Sequence, residues 1–247
     1  MRAMILAAGL GTRLRPLTLD CPKALVEING RTLLEIALTR LRSFGVSDVV
    51  VNVHHLADRI VEYLKSNASF GMRIEISCED VLLDTGGGLK NVSRFFLQDR
   101  SNGPFLVHNV DVISDIDFQR MVERHVESDA LATLAVQQRA SSRQLLFDNA
   151  NLLCGRKSEE DAPEIVRAAP QCFPLAFCGI HVLSPRIFPL LTEEGVFPII
   201  PAYLRLAAQG EKILSFRADE YLWRDLGTPE SLSAAAHLNA GTFPRQA

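Results

Sequence analysis

Five short apolar runs of strand character, at 3–8, 49–53, 73–77, 105–110 and 131–136, are each followed by a stretch with helical spacing. That alternation predicts βαβ units and a mostly parallel sheet. The helix after the first loop has legible ends. Thr32 and Glu35 stand at capping-box spacing, Leu34, Leu38 and Leu41 form one apolar stripe, and Gly45 supplies the stop. From about Leu145 the pattern changes. Residues 145–147 and 152–153 flank Asp148-Asn149-Ala150-Asn151, which predicts a hairpin and the start of antiparallel strands. Residues 158–161 are charged, 171–174 are irregular, and 175–183 resume as a buried strand. Thr228 followed by Pro229 opens a final helix through about Leu238. The expected fold is α/β: a mixed, mainly parallel sheet flanked by helices, with a small antiparallel subregion over about 145–214.

Composition narrows the function. Of 247 residues, 47% are hydrophobic and 22% charged, as in a globular domain with a sizeable core. The net charge of -3, with no Lys/Arg block, argues against a nucleic-acid partner and for small ligands. Five scattered cysteines without a C-x-x-C pair read as reduced thiols. The first apolar stretch is too short for a signal segment, and no later run reaches membrane-spanning length. A cytoplasmic location away from membranes is expected.

The densest chemistry follows the first strand. Gly9-Leu10-Gly11-Thr12-Arg13 is a Gly-rich turn where backbone N–H groups can meet a polyphosphate, and Arg13 and Lys23 add positive charge. It is not a Walker loop, because no Gly-Lys-Ser/Thr follows, and Leu14 replaces the third glycine of the dinucleotide fingerprint. Asp111 ends an apolar strand, where open α/β sheets bind ligands. Asp225 precedes the last helix. His54 and His55 lack partners at metal spacing and read as packing or capping residues.

The longer string LAAGLGTRLRPLT, followed by PKALVEING, resembles the signature of the sugar-phosphate nucleotidyltransferase family, the pyrophosphorylases that make nucleotide sugars. The resemblance implies a Rossmann-like nucleotide-diphospho-sugar transferase fold, with a nucleotide part over about 1–144 and a sugar part over about 145–247 of a single domain. It implies an NTP held by Leu6, Ala7, Ala8, Gly9, Gly11, Thr12, Arg13 and Lys23. Leu83-Asp84-Thr85-Gly86-Gly87-Gly88-Leu89 is similar to the segment beside the nucleobase, which adds Thr85, Gly86, Gly87 and Gly88. The first metal-binding aspartate of the family corresponds to Asp111 and the second to Asp225, which implies Mg²⁺. Arg13, Lys23 and Asp111 then carry catalysis.

On the sugar side the resemblance implies Asn109, Gly179 and Lys157. Two departures stand out. Val110 occupies a position where many relatives have Gly or Ser, and the family's Glu-Lys-Pro segment is replaced by Gly155-Arg156-Lys157, so either Arg156 or Lys157 would supply the second cation unless both are solvated. The partners implied are an NTP and a sugar 1-phosphate, handled by a monomer or homodimer. The chain is similar to short members that uridylylate N-acetylmuramate 1-phosphate or guanylylate mannose 1-phosphate, and its residues do not choose between them. A cytidylyltransferase for phosphocholine and a nucleotide-sugar sensor are the alternatives.

Overall fold

The computed structural model describes residues 1–98 and 103–236. The first half contains β1 (Arg2–Leu6), the short antiparallel pair β2 (Glu27–Ile28) and β3 (Arg31–Thr32), α1 (Leu33–Ser43), β4 (Asp48–Val53), α2 (Ala57–Ser66), β5 (Arg73–Cys78), α3 (Asp84–Asn91), α4 (Ser93–Leu97) and β6 (Phe105–Asn109). β1 lies between β4 and β6, and β5 extends the row beyond β4, all in parallel register.

α1 forms where its ends are specified. The Glu35 N–H donates to Thr32 Oγ1 at 3.0 Å. At the other end Gly45, with φ 74°, donates to Arg42 O and Val46 donates to Leu41 O, a Schellman closure. The stripe of Leu34, Leu38 and Leu41 is fully buried. Each such side chain contributes roughly 1.5–3 kcal/mol.

Strand alternation divides the core in two. Ala3, Ile5, Val49 and Val51 face one cluster, with α1 and α5 residues, while Met4 and Val50 face the other, with α3, α4 and α6 residues. Both faces are apolar, so both are covered by helices.

The second half contains β7 (Val112–Ser114), α5 (Phe118–Glu127), β8 (Ala132–Gln137), β9 (Arg143–Phe147), β10 (Leu153–Ser158), β11 (Glu164–Ile165), β12 (Phe173–Leu183), α6 (Ile199–Ala208), β13 (Ile213–Arg217), β14 (Trp223–Asp225) and α7 (Pro229–Ala236). The hairpin at Asp148 is present. Its carboxylate accepts the N–H groups of Ala150 and Leu152, and its own N–H donates to Leu152 O. The Ser231 N–H donates to Thr228 Oγ1 and caps α7, while Leu238 lies outside the described residues.

Two expectations change. β8 leads into β9 without a crossover helix. β12 begins at Phe173 and runs antiparallel to β6, β8 and β9, so it joins the parallel and antiparallel halves into one ten-stranded sheet. A strand buried on both faces carries no alternation to reveal its direction or neighbours. Among the described residues no helix is long and apolar enough to cross a membrane.

Candidate active site

The Gly-rich loop leaves β1 and turns at Gly11, whose φ of 61° is left-handed. A Cβ there would fall 2.9 Å from Thr18 Cγ2, and the Thr18 hydroxyl donates to Gly11 O at 2.7 Å. Thr12, Arg13 and Leu14 then form a 3-10 turn anchored by buried Leu14. Gly9 differs: nothing lies within 4 Å of its would-be Cβ. The turn explains Gly11, whereas Gly9 leaves bare backbone facing open space.

That space is a cavity of about 390 Å³. Leu6, Ala7, Ala8 and Gly9 form one wall, Leu82, Asp84 and Thr85 the opposite one, and Asn109, Asp111 and Lys23 the inner end. A buried polar relay ties the walls together. The Ala7 N–H donates to Asn52 Oδ1 at 2.8 Å, Asn52 Nδ2 donates to Glu79 Oε1 at 2.7 Å, and the Leu83 N–H donates to Glu79 Oε2 at 3.0 Å. Asn52 and Glu79 are 2% and 5% exposed, so breaking this relay strands polar groups away from water. His54 bonds the Glu79 carbonyl through Nδ1, a bracing contact consistent with its packing role. Asn52 and Glu79 belong to none of the sequence motifs. Their signal was position, since both are polar groups at the C-terminal ends of parallel strands, where such sheets build sites.

The three glycines let α3 pack closely against its neighbours. Gly86 and Gly87 both donate their N–H groups to Phe197 O, at 3.0 and 3.1 Å, so these donors are not free for a base. A Cβ on Gly86 would strike the Phe197 ring, one on Gly87 would strike Gly195 O, and one on Gly88 would fall 2.8 Å from Asn52 Nδ2 and from Glu79 Oε1. They make one side of α3 thin enough to pack against 195–197 and over the relay. Thr85 does line the cavity, and its hydroxyl also accepts from the Ile199 N–H at 3.0 Å.

The two aspartates meet through tertiary pairing. β7 and β14 form an antiparallel ribbon with Asp225 opposite Val112, and the Leu226 N–H donates to Asp111 O at 2.8 Å. Lys23 Nζ pairs with Asp111 Oδ2, each side chain 13% exposed. Asp225 Oδ1 accepts the Gly227 N–H at 2.7 Å, and a Cβ on Gly227 would fall 2.6 Å from Arg13 Nη2. Arg13, Lys23, Asp111 and Asp225 therefore share one seam. Val110 is buried at 4%, so its side chain packs the backbone between Asn109 and Asp111 into the core. Among the described residues no group of three or more His, Cys, Asp or Glu could hold a metal. Two carboxylates suit a hard cation that completes its shell with substrate oxygens and water, as Mg²⁺ does.

Residues 2–144 match the family described as Nucleotidyl transferase. The chain belongs to that family. It is 36% identical over 245 residues to the N-acetylmuramate alpha-1-phosphate uridylyltransferase of Caulobacter vibrioides, covering 96% of both chains. It is 30% identical to the mannose-1-phosphate guanyltransferase of Debaryomyces hansenii, covering 96% of this chain and 64% of that one. Its fold is shared with a UDP-glucose pyrophosphorylase complexed with UDP-glucose, at a TM-score of 0.75 and 19% identity, covering 95% of this chain and 96% of that one.

In this nucleotidyltransferase a second cavity, about 980 Å³, opens beside Asp225 and is bounded by Arg13, Arg139, Arg143, Trp223 and Arg224. The residues expected on the sugar side are dispersed. Asn109 lines the first cavity. Gly179 sits at a bulge of β12 with φ 72°, and a Cβ there would fall 2.7 Å from Asn109 Nδ2, so Gly179 makes room for Asn109. Lys157 is exposed on β10, opposite Gln144, and borders neither cavity; Arg156 pairs with Glu164 at 2.6 Å. The structure does not bring either cation to the seam, because β9 lies between β10 and β12. His108, beneath Asn109, is held by burial down to about 4 and bonds Asn109 O through Nδ1. It is neutral near pH 7 and unsuited to proton transfer.

Proposed function

We propose that this chain transfers a nucleotidyl group from an NTP to a sugar 1-phosphate, releasing pyrophosphate and forming a nucleotide sugar. The observation that carries the reading is the seam where Arg13, Lys23, Asp111 and Asp225 meet between a narrow cavity and a wide one. The nucleotide takes the narrow cavity, with its base beside Leu82 and Thr85 and its phosphates along residues 9–13. Bare backbone at Gly9 admits them closely. Arg13 pairs with the β- and γ-phosphates. Lys23 exchanges Asp111 for phosphate oxygens and aligns the attack. Asp111 and Asp225 would hold Mg²⁺, which when bound supplies positive charge against the phosphates.

A sugar phosphate oxygen then attacks the α-phosphorus in line, and pyrophosphate leaves. No side chain forms a covalent bond. Catalysis rests on positioning and charge neutralisation. Asn109, seated by Gly179 at the inner end of the narrow cavity, meets the sugar where the acceptor enters the seam. The nucleotide part spans about 1–144 and the sugar part about 145–247, in a cytoplasmic monomer or homodimer.

The finer assignment is UTP with N-acetylmuramate 1-phosphate, supported by the relative matched over almost its whole length. The test is a matrix of four NTPs against the 1-phosphates of N-acetylmuramate, N-acetylglucosamine, mannose and glucose, with phosphocholine included, in Mg²⁺, read as pyrophosphate release. The expected maximum is UTP with N-acetylmuramate 1-phosphate. A maximum at GTP with mannose 1-phosphate replaces the finer assignment, CTP with phosphocholine overturns the sugar reading, and nucleotide-sugar binding without turnover makes the chain a sensor.

A further inference from the structure

The wide cavity carries an excess of positive charge that the reaction at the seam does not use. Four arginines border it against one carboxylate, Asp225. They are not equivalent. Arg13 lies against Gly227 and Asp225, at the phosphate end. Arg139 is part of the frame: its Nη2 donates to Phe177 O at 2.9 Å, and its guanidinium carbon stands 3.9 Å from the Trp223 ring centroid. Trp223 is held in turn by its Nε1 donating to Cys178 O at 2.7 Å. Arg224 is engaged next to Trp223, its Nη1 donating to Trp223 O at 3.3 Å.

Arg143 shares only with Arg13 a guanidinium without a protein partner among the described residues, and it stands on β9 rather than against Gly227 and Asp225. It is exposed at the first position of β9, and its guanidinium makes no ion pair or hydrogen bond among the described residues. Its backbone is nevertheless fixed, because Ser141 Oγ donates to Arg143 O at 2.8 Å and accepts from the Arg143 N–H at 3.4 Å. A held backbone thus presents a free five-donor cation to a cavity that Trp223 also lines.

We propose that Arg143 is a specificity-determining residue of the acceptor pocket and that it pairs with a carboxylate carried by the sugar 1-phosphate. This rests on the nucleotidyl-transfer reading above. The acceptor's phosphate has to reach the seam, so its ring lies over Trp223 and its far substituents approach Arg143. A guanidinium matches one carboxylate by a planar, bidentate fork. A second phosphate would call for a further uncommitted cation, and the other arginine of the four without a protein partner among the described residues, Arg13, is committed to the nucleotide's phosphates. A neutral sugar would leave it unpaired.

The test compares two acceptors that differ in one substituent, N-acetylmuramate 1-phosphate with its lactyl carboxylate and N-acetylglucosamine 1-phosphate with a hydroxyl, using the best NTP. The wild-type enzyme is expected to favour the carboxylated acceptor by roughly tenfold or more in kcat/KM, the size of one charge-assisted contact. Arg143→Ala is expected to lose roughly that factor on the carboxylated acceptor, mainly through KM, and less than about twofold on the neutral one. Arg143→Lys should restore part of the loss. Equal losses on both acceptors, or no loss on the carboxylated one, overturn the assignment. If the wild-type enzyme uses sugar 1-phosphates without preferring the carboxylated one, nucleotidyl transfer stands and the Arg143 role falls. If it uses none, the functional reading fails and takes this role with it.

Discussion

The two cavities on either side of the seam are built on opposite principles. The narrow one, on the parallel half, has its polar groups satisfied internally: Asn52 and Glu79 bridge its walls and Lys23 is paired with Asp111. The wide one, on the antiparallel half, borders several arginines and one carboxylate, and Arg143 has no partner among the described residues. A self-satisfied wall keeps its shape before a ligand arrives, so it suits a part common to many substrates. Unpaired charge gains its partner from the ligand, so it suits the part that discriminates.

The largest effect that would break this contrast concerns the narrow wall. Gly87→Val puts a branched side chain against Gly195 O and Leu83 Cβ, and a loss of roughly 2–4 kcal/mol of folding stability is expected in thermal or denaturant unfolding. A variant of unchanged stability that no longer binds NTP would return the glycines to a base-contacting role.

Next comes the seam. Asp111→Asn and Asp225→Asn are each expected to lower kcat/KM by roughly a hundredfold, about 2.7 kcal/mol of barrier. If both act through one cation, the double variant is little worse than the poorer single one, and raised Mg²⁺ rescues the singles in part. Multiplying losses with no rescue would separate the two carboxylates.

Arg13→Ala and Lys23→Ala should each cost at least about tenfold in kcat/KM, the loss of one charge-assisted phosphate contact at roughly 1.5–3 kcal/mol. The two should differ in stability. Arg13 makes no ion pair among the described residues, whereas removing Lys23 leaves Asp111 partly buried without its cation. Equal unfolding temperatures for the two variants would contradict the paired character of the narrow side.

The smallest expected effect is a pH dependence of the junction between the halves. Burial pushes His108 of β6 down to about 4 and His181 of β12 down to about 3, from 6.5. His108 lies opposite Ile180 in the ladder joining these strands, and His181 Nδ1 bonds Tyr203 Oη at 2.7 Å. The unfolded chain takes up protons first, so the stability these neutral rings confer is full above pH 6.5 and drains as pH falls toward 4. Tm measured by calorimetry should decline across that window, gently at first. A flat Tm down to about pH 5 would show that protonated rings are tolerated at the junction.

Much of this protein is legible in residue order alone. Four of the parallel strands, both ends of α1, the Asp148 hairpin and the cap of α7 follow from patterns a few residues long, because hydrogen bonds and apolar periodicity at that range are properties of the local chain. The Gly-rich loop and both aspartates were readable as motifs in the same way. Tertiary structure decided the rest. Only the β7–β14 ribbon puts Asp225 beside Asp111, and only the relay through Asn52 and Glu79 sets the two walls of the cavity. Tertiary structure likewise set Phe197, Gly195 and the relay as neighbours of the three glycines, and put β9 between β12 and the β10 strand that carries Lys157. A side chain's type and spacing state what chemistry it can perform. Its partners are set by which distant segments share a sheet, and that pairing is selected by burial of the whole core rather than by any short stretch of sequence.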